Sequence, residues 1–154
     1  MTEEDYMRIA IEEARKAANR DEVPVGAVLV HAETGLIIAQ NGNRTREYTD
    51  PTAHAEMLVT RKACQNEGSQ RIPAYDLYVT LEPCAMCAAA ISFSRIRNLY
   101  FGAPDEKGGG VRHGAQFYSL STCHYRPYVS HGLFAEESGL ILKDFFAQKR
   151  LSKS

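Results

Sequence analysis

A chain of 154 residues has the length of one ordinary domain, able to bury roughly two-thirds of the surface its unfolded form exposes, so one core is expected over residues 1–154 without help from disulfides. An apolar fraction of 44%, a charged fraction of 24% and no run near the ~18 apolar residues of a membrane span exclude a membrane protein, and the acidic, helical start MTEEDYMRIAIEEARKAA excludes an export signal. The net charge of -1 excludes a uniformly basic polyanion binder.

Thr2 with Asp5 makes an N-cap signature, and Met7, Ala10, Ile11, Ala14, Ala17 and Ala18 form one apolar stripe at helical spacing, which predicts a first helix. VGAVLVH (25–31) and LIIAQN (36–41) are β-rich runs separated by AETG, whose Gly35 can take positive φ, so they predict a hairpin followed by a polar loop over 42–52. A second helix is predicted from about Thr52 to Asn66, with Asp50 or Thr52 as cap and Pro51 tolerated at its start. DLYVT (76–80) reads as a buried strand, and Pro83 opens a third helix that runs through Ser92. NLYFGA (98–103) is again a strand, glycines 108–110 mark a flexible turn, and residues 115–127 are ambiguous. YVSHG (128–132) has the composition of a short strand and AEESGLILKDFFAQKR (135–150) that of a closing helix. Helices alternating with strands after an opening hairpin predict class α/β: a single three-layer α/β/α domain with a mixed central sheet of about five strands, covered on both faces.

The charge is unevenly spread. Residues 1–22 hold seven acids against four bases, whereas over 91–126 Arg95, Arg97, Lys107, Arg112 and Arg126 face only Asp105 and Glu106. The stretch from Lys143 adds Lys149, Arg150 and Lys153 against Asp144. Such asymmetry permits a basic face for phosphates, although chance clustering on a solvated surface accounts for it equally well.

Two first turns carry residues that packing does not ask for: His54 and Glu56 in DPTAHAEMLVTRKAC (50–64), and Cys84 and Cys87 in VTLEPCAMCAAAIS (79–92). In the cytosol, where the chain is expected, four cysteines with two in a C-x-x-C serve as metal ligands, redox thiols or core fillers in preference to disulfides. Three apart, Cys84 and Cys87 share a helical face, and a helix N-terminus favours the thiolate that binds metal. Two thiolates and an imidazole suit zinc and leave its fourth tetrahedral position open, the mark of a catalytic site. Glu56, two residues from His54, does not share its direction and reads as a carboxylate beside that open position, able to move protons. A lone C-x-x-C fits buried thiols or a redox pair as well, and a lone H-x-E says little. The joint pattern of H-A-E, then 26 residues, then P-C-x-x-C, each half opening a helix, is what selects zinc. Cys64 has the spacing of a core residue, Cys123 and His124 offer a further ligand that a complete site does not need, and of His31, His113 and His131 the second is best placed to touch a ligand.

PVGAVLV, NRTRE, DPTAHAE, LYVTLEPCAMCAAAISFSRI and FGAPDEKGGG together resemble the zinc-dependent deaminases and, in this combination and order, the bacterial tRNA-specific adenosine deaminases. The resemblance runs from about Met7 to Arg150 and implies the cytidine deaminase-like fold. It implies one zinc per subunit on His54, Cys84 and Cys87, with Glu56 as the proton shuttle for attack of zinc-bound hydroxide at C6 of adenine. Pro24, Val25, Asn43 and Ala55 match positions lining the nucleoside pocket, Asp105 a position that contacts RNA, and Phe146, Lys149 and Arg150 the helix that meets the anticodon loop; Phe145 on that helix reads as core. The implied reaction is conversion of adenosine to inosine at the wobble position of a tRNA anticodon, an arginine tRNA as in the family, by a cytoplasmic homodimer. Two alternatives use the same zinc motif. One is a deaminase of a free base or nucleotide such as guanine, cytosine or deoxycytidylate; the other is a non-catalytic zinc module, against which Glu56 argues.

Overall fold

The computed structural model describes residues 1–152; Lys153, counted in the basic ending above, lies outside them. In chain order the elements are α1 (Glu3–Asn19), β1 (Gly26–His31), β2 (Ile37–Gly42), α2 (Ala55–Glu67), β3 (Tyr75–Leu81), α3 (Ala85–Ser94), β4 (Asn98–Ala103), a single 3-10 turn (Phe117–Ser119), β5 (Tyr128–His131) and α4 (Ala135–Ser152). The strands form one sheet in the order β2-β1-β3-β4-β5. β1 pairs antiparallel with both β2 and β3, whereas β3–β4 and β4–β5 are parallel, so the sheet is mixed as expected.

Period-two alternation in the central strands divides the core. Ala27 and Leu29, Leu77 and Val79, and Leu99 and Phe101 pack under α2 and α3 with Val59 and Ile91. Val28, Val30 and Tyr78 face the other way, against Met7, Ala10 and Ile11 of α1. α4 lies in the same layer as α1, and its Ile141 packs on that second cluster. No helix among the described residues is long and apolar enough to cross a membrane.

The first helix starts as its sequence dictates: Thr2 Oγ1 accepts the Asp5 N–H at 3.2 Å while Asp5 Oδ2 accepts the Thr2 N–H at 2.8 Å, a complete capping box. Gly35 turns the β1–β2 hairpin at φ 73°. The second helix begins three residues later than expected, because Asp50 closes a turn of its own, accepting both the N–H and the hydroxyl of Thr52 at 2.8 and 2.7 Å. The third begins at Ala85 and not Pro83, with Cys84 as its N-cap. The glycines at 108–110 do not make the open turn their composition suggests; Gly109 and Gly110 are buried against neighbouring backbone.

α1 approaches β1 closely because Gly26 has no side chain: a Cβ there would lie 2.6 Å from the Ala14 nitrogen. Gly26→Ala is therefore expected to lower the unfolding free energy by about 1–3 kcal/mol or more. Gly139→Ala, in α4 with nothing within 4 Å of the added methyl, is expected to raise it by about 0.5–1 kcal/mol. Urea unfolding of the metal-loaded protein measures both.

Candidate active site

His54 and Cys84 are the N-cap residues of α2 and α3, both in extended conformation, and neither side chain caps its own helix. Both instead turn toward the same point. His54 Nδ1 stands 3.6 Å from Cys84 Sγ and 3.5 Å from Cys87 Sγ, and the three atoms lie within 4.8 Å of one another. Nitrogen and sulfur ligands at about 2.1 and 2.3 Å from one tetrahedral zinc stand about 3.6 Å apart, so the spacing and donor set fit that metal. Cys87, in the first turn of α3, is fully buried, whereas His54 and Cys84 are half-buried.

The electrostatics follow from this crowding. The Cys84 thiol is pushed down to about 4, first by its hydrogen bond with Cys87 and then, against the cost of burial, by that with His54. Cys87 moves up, as donor to Cys84 and through burial. The bond with Cys84 raises His54 despite burial. Glu56 is buried in the first turn of α2, and desolvation raises its carboxyl above the ordinary value.

Asn43 links Val25 to Ala55, the residue that follows His54, and Pro24 directly precedes Val25. The Asn43 side-chain oxygen accepts the Ala55 N–H at 2.8 Å, satisfying a first-turn amide of α2 that His54 leaves uncapped. Its backbone N–H donates to Val25 O at 3.1 Å and its carbonyl accepts from Arg20 Nη2 at 3.0 Å. With the oxygen so occupied, the Asn43 NH2 is left as a donor of fixed direction.

Two buried glutamates that sequence reasoning passed over hold the loops on either side. Glu22 accepts the N–H groups of Arg46 and Glu47 at 3.1 and 2.8 Å, securing the segment that leads to His54. Glu82 accepts the N–H groups of Asp105, Val111, Arg112 and His113 at 3.1, 3.2, 2.8 and 3.0 Å, and its Oε1 is 2.8 Å from His113 Nδ1. Burial raises the Glu82 carboxyl, but these donors outweigh it and hold the group below its usual range. The available signal was an acid directly following a largely buried strand, in TLEPC.

Other expected residues fall elsewhere. The Asp105 carboxylate accepts the N–H groups of Lys107 and Gly108 at 3.2 and 2.8 Å and so closes its own turn. Phe146, 44% exposed, and Arg150 lie on α4, in the layer opposite the ligand cluster. Lys149 pairs with Asp21, which also pairs with Arg46, so the end of α4 is linked to the loop before His54. Phe145 is half-buried and lines a cleft of about 640 Å³ between α1 and α4, at the edge of the core and not in it. Cys64 packs half-buried against the core. Cys123 is buried beside Ser92 and stands outside the three-ligand cluster, as does exposed His124.

The family model for the cytidine and deoxycytidylate deaminase zinc-binding region matches residues 1–103. A tRNA-specific adenosine deaminase of Agrobacterium fabrum is 59% identical over 146 residues, 95% of each chain. Another, of Rickettsia bellii, is 44% identical over 144 residues, covering 94% of this chain and 99% of its own. A solved structure from work on A-to-I editing by tRNA:A34 deaminases at the wobble position of transfer RNA matches with a TM-score of 0.87 at 59% identity, over 90% of this chain and 99% of that one. Likeness of this extent, over a fold whose two helix starts converge as described, leaves one family: the chain belongs to the bacterial tRNA-specific adenosine deaminases, within the cytidine and deoxycytidylate deaminase superfamily.

Proposed function

We propose that the protein hydrolyses the exocyclic amine of an adenosine at the wobble position of a tRNA anticodon, leaving inosine and ammonia, and that its substrate is an arginine tRNA. The chemistry rests on buried Glu56 beside a three-ligand cluster whose donors suit zinc, and the choice of substrate on the 59% identity to a tRNA-specific adenosine deaminase. His54, Cys84 and Cys87 would hold one zinc per chain. When bound there, zinc supplies the Lewis acid that makes a nucleophile of water at neutral pH. Glu56 takes a proton from the attacking water and delivers it to N1 of adenine as C6 becomes tetrahedral, then carries a proton to N6 as the amine departs. Pro24, Val25 and Ala55 wall the base, and the fixed Asn43 NH2 donates to it or to its ribose. Phosphates farther along the anticodon arm meet Lys149 and Arg150, with Phe146 and Asp105 contacting the loop nucleotides. An adenine in a duplex hides C6, whereas an anticodon loop presents it unpaired or cheaply extruded.

A cytoplasmic homodimer completes the reading. Phe93 on α3 is 71% exposed, and Ala89 and Ala90 on the same helix are partly open, a small apolar surface that a second copy would cover.

Metal binding and chemistry are separable. Cys84→Ser is expected to lose zinc by elemental analysis, whereas Glu56→Ala should keep one zinc per chain and the fold while its turnover falls by at least about 10²-fold. Normal turnover in Glu56→Ala contradicts the proton-shuttle role.

Incubation with an adenosine-containing anticodon stem-loop should yield inosine, with activity falling steeply as salt rises, since each neutralised phosphate releases counterion. Double replacement of Lys149 and Arg150 by alanine should raise KM with zinc content unchanged. Failure to make inosine, together with ready deamination of guanine or cytosine, would refute the substrate assignment. Light scattering at micromolar concentration is expected to give a mass near twice the 17.1 kDa chain, and a monomer mass contradicts the dimer.

A further inference from the structure

The 104–114 loop has neither helix nor strand to hold it, yet it lies directly on the start of α3. Gly110 donates its N–H to Pro83 O at 2.8 Å, and its Cα is so close to the helix that an added Cβ would stand 2.5 Å from the Ala85 nitrogen and 2.7 Å from the Cys84 carbonyl carbon. Four of the loop's amides and the His113 ring converge on one carboxylate, Glu82, whose side chain is 0% exposed. Gly109 packs on the same group, since a Cβ there would lie 2.5 Å from Glu82 Oε2. The outer side of this backbone carries the exposed cations Lys107 and Arg112. An irregular segment bearing charge beside a metal cluster is thus given a fixed shape by a group that itself faces no solvent.

Resting on the deaminase reading above, we infer that Glu82 is a positioning residue for the reaction: it fixes the 105–113 backbone against α3 so that Lys107 and Arg112 stand ready for the RNA phosphates flanking the target base. Glutamine at this position keeps the size but sets an NH2 against N–H donors on one side, which releases that half of the loop. Aspartate is a methylene too short to serve both halves. The alanine methyl of Gly109→Ala presses on the same carboxylate from the loop side, and on the Asp105 carbonyl oxygen.

The test compares Glu82→Gln and Gly109→Ala with wild type in zinc content and in steady-state kinetics on the anticodon stem-loop. The role described predicts full zinc in both variants, KM raised about tenfold or more, kcat within about threefold of wild type, and a shallower fall of activity with salt. Should Glu82→Gln not fold, Gly109→Ala carries the comparison. Wild-type KM in the folded variants, or loss of activity that tracks loss of zinc, overturns the inference and leaves Glu82 as a support for the ligand helix. Absence of inosine from the wild-type reaction instead removes the deaminase reading, and this one with it.

Discussion

α2 and α3 each begin with a residue whose side chain does not cap its own helix. Forgoing a good N-cap costs about 1 kcal/mol per helix, and here the cost is incurred twice within one site so that His54 and Cys84 can face each other. The positive ends of two helices then meet where two thiols and an imidazole are crowded, a field that favours the thiolate form. Neighbouring parts of the structure serve to hold those two starts in place. Asn43 gives α2 back one amide partner from outside the helix, Glu22 ties down the approach to His54, and parallel pairing of β3 with β4 delivers the chain to Cys84.

The features legible in the sequence are those written in short-range spacing. Runs of β-rich composition marked every strand, Asn98–Ala103 to the residue, and the opening capping box was visible in Thr2 and Asp5. The ligand pattern was legible for the same reason, since two cysteines three apart at the start of one helix, one its N-cap and the other in its first turn, stand close together. The start of α2 was not, because Asp50-Pro51-Thr52 has the composition of a cap followed by a first-turn proline, and only the tertiary structure shows Asp50 spent on a turn. Glu22 and Glu82 escaped notice because their partners are backbone amides 23 to 31 residues away, which carry no side-chain identity to read. The triple glycine misled in a similar way: composition records the absence of side chains, but only packing distinguishes freedom from crowding.

The ligand cluster and the basic ending of the chain are laid out on different sides of the sheet. The ligand cluster belongs to the α2–α3 layer and the basic ending to the α1–α4 layer. Asp21, at φ 68° just beyond α1, bridges them by pairing with both Lys149 and Arg46. Being exposed, such pairs contribute little to stability. Their interest lies in placement, since the same cations are the ones a polyanion would claim.

The way Glu82 is satisfied bears on how such a site can diverge. Its ligands on the loop are backbone amides, and Gly109 and Gly110 fill the space where side chains would press on the helix. Glu106, Lys107 and Arg112 project from that same backbone into solvent. Their identities can drift without moving the chain that carries them or the helix beneath. The charge on the outer surface of this loop can therefore change while the backbone packed on the ligand helix stays fixed, so the surface and the metal-binding architecture vary independently of each other.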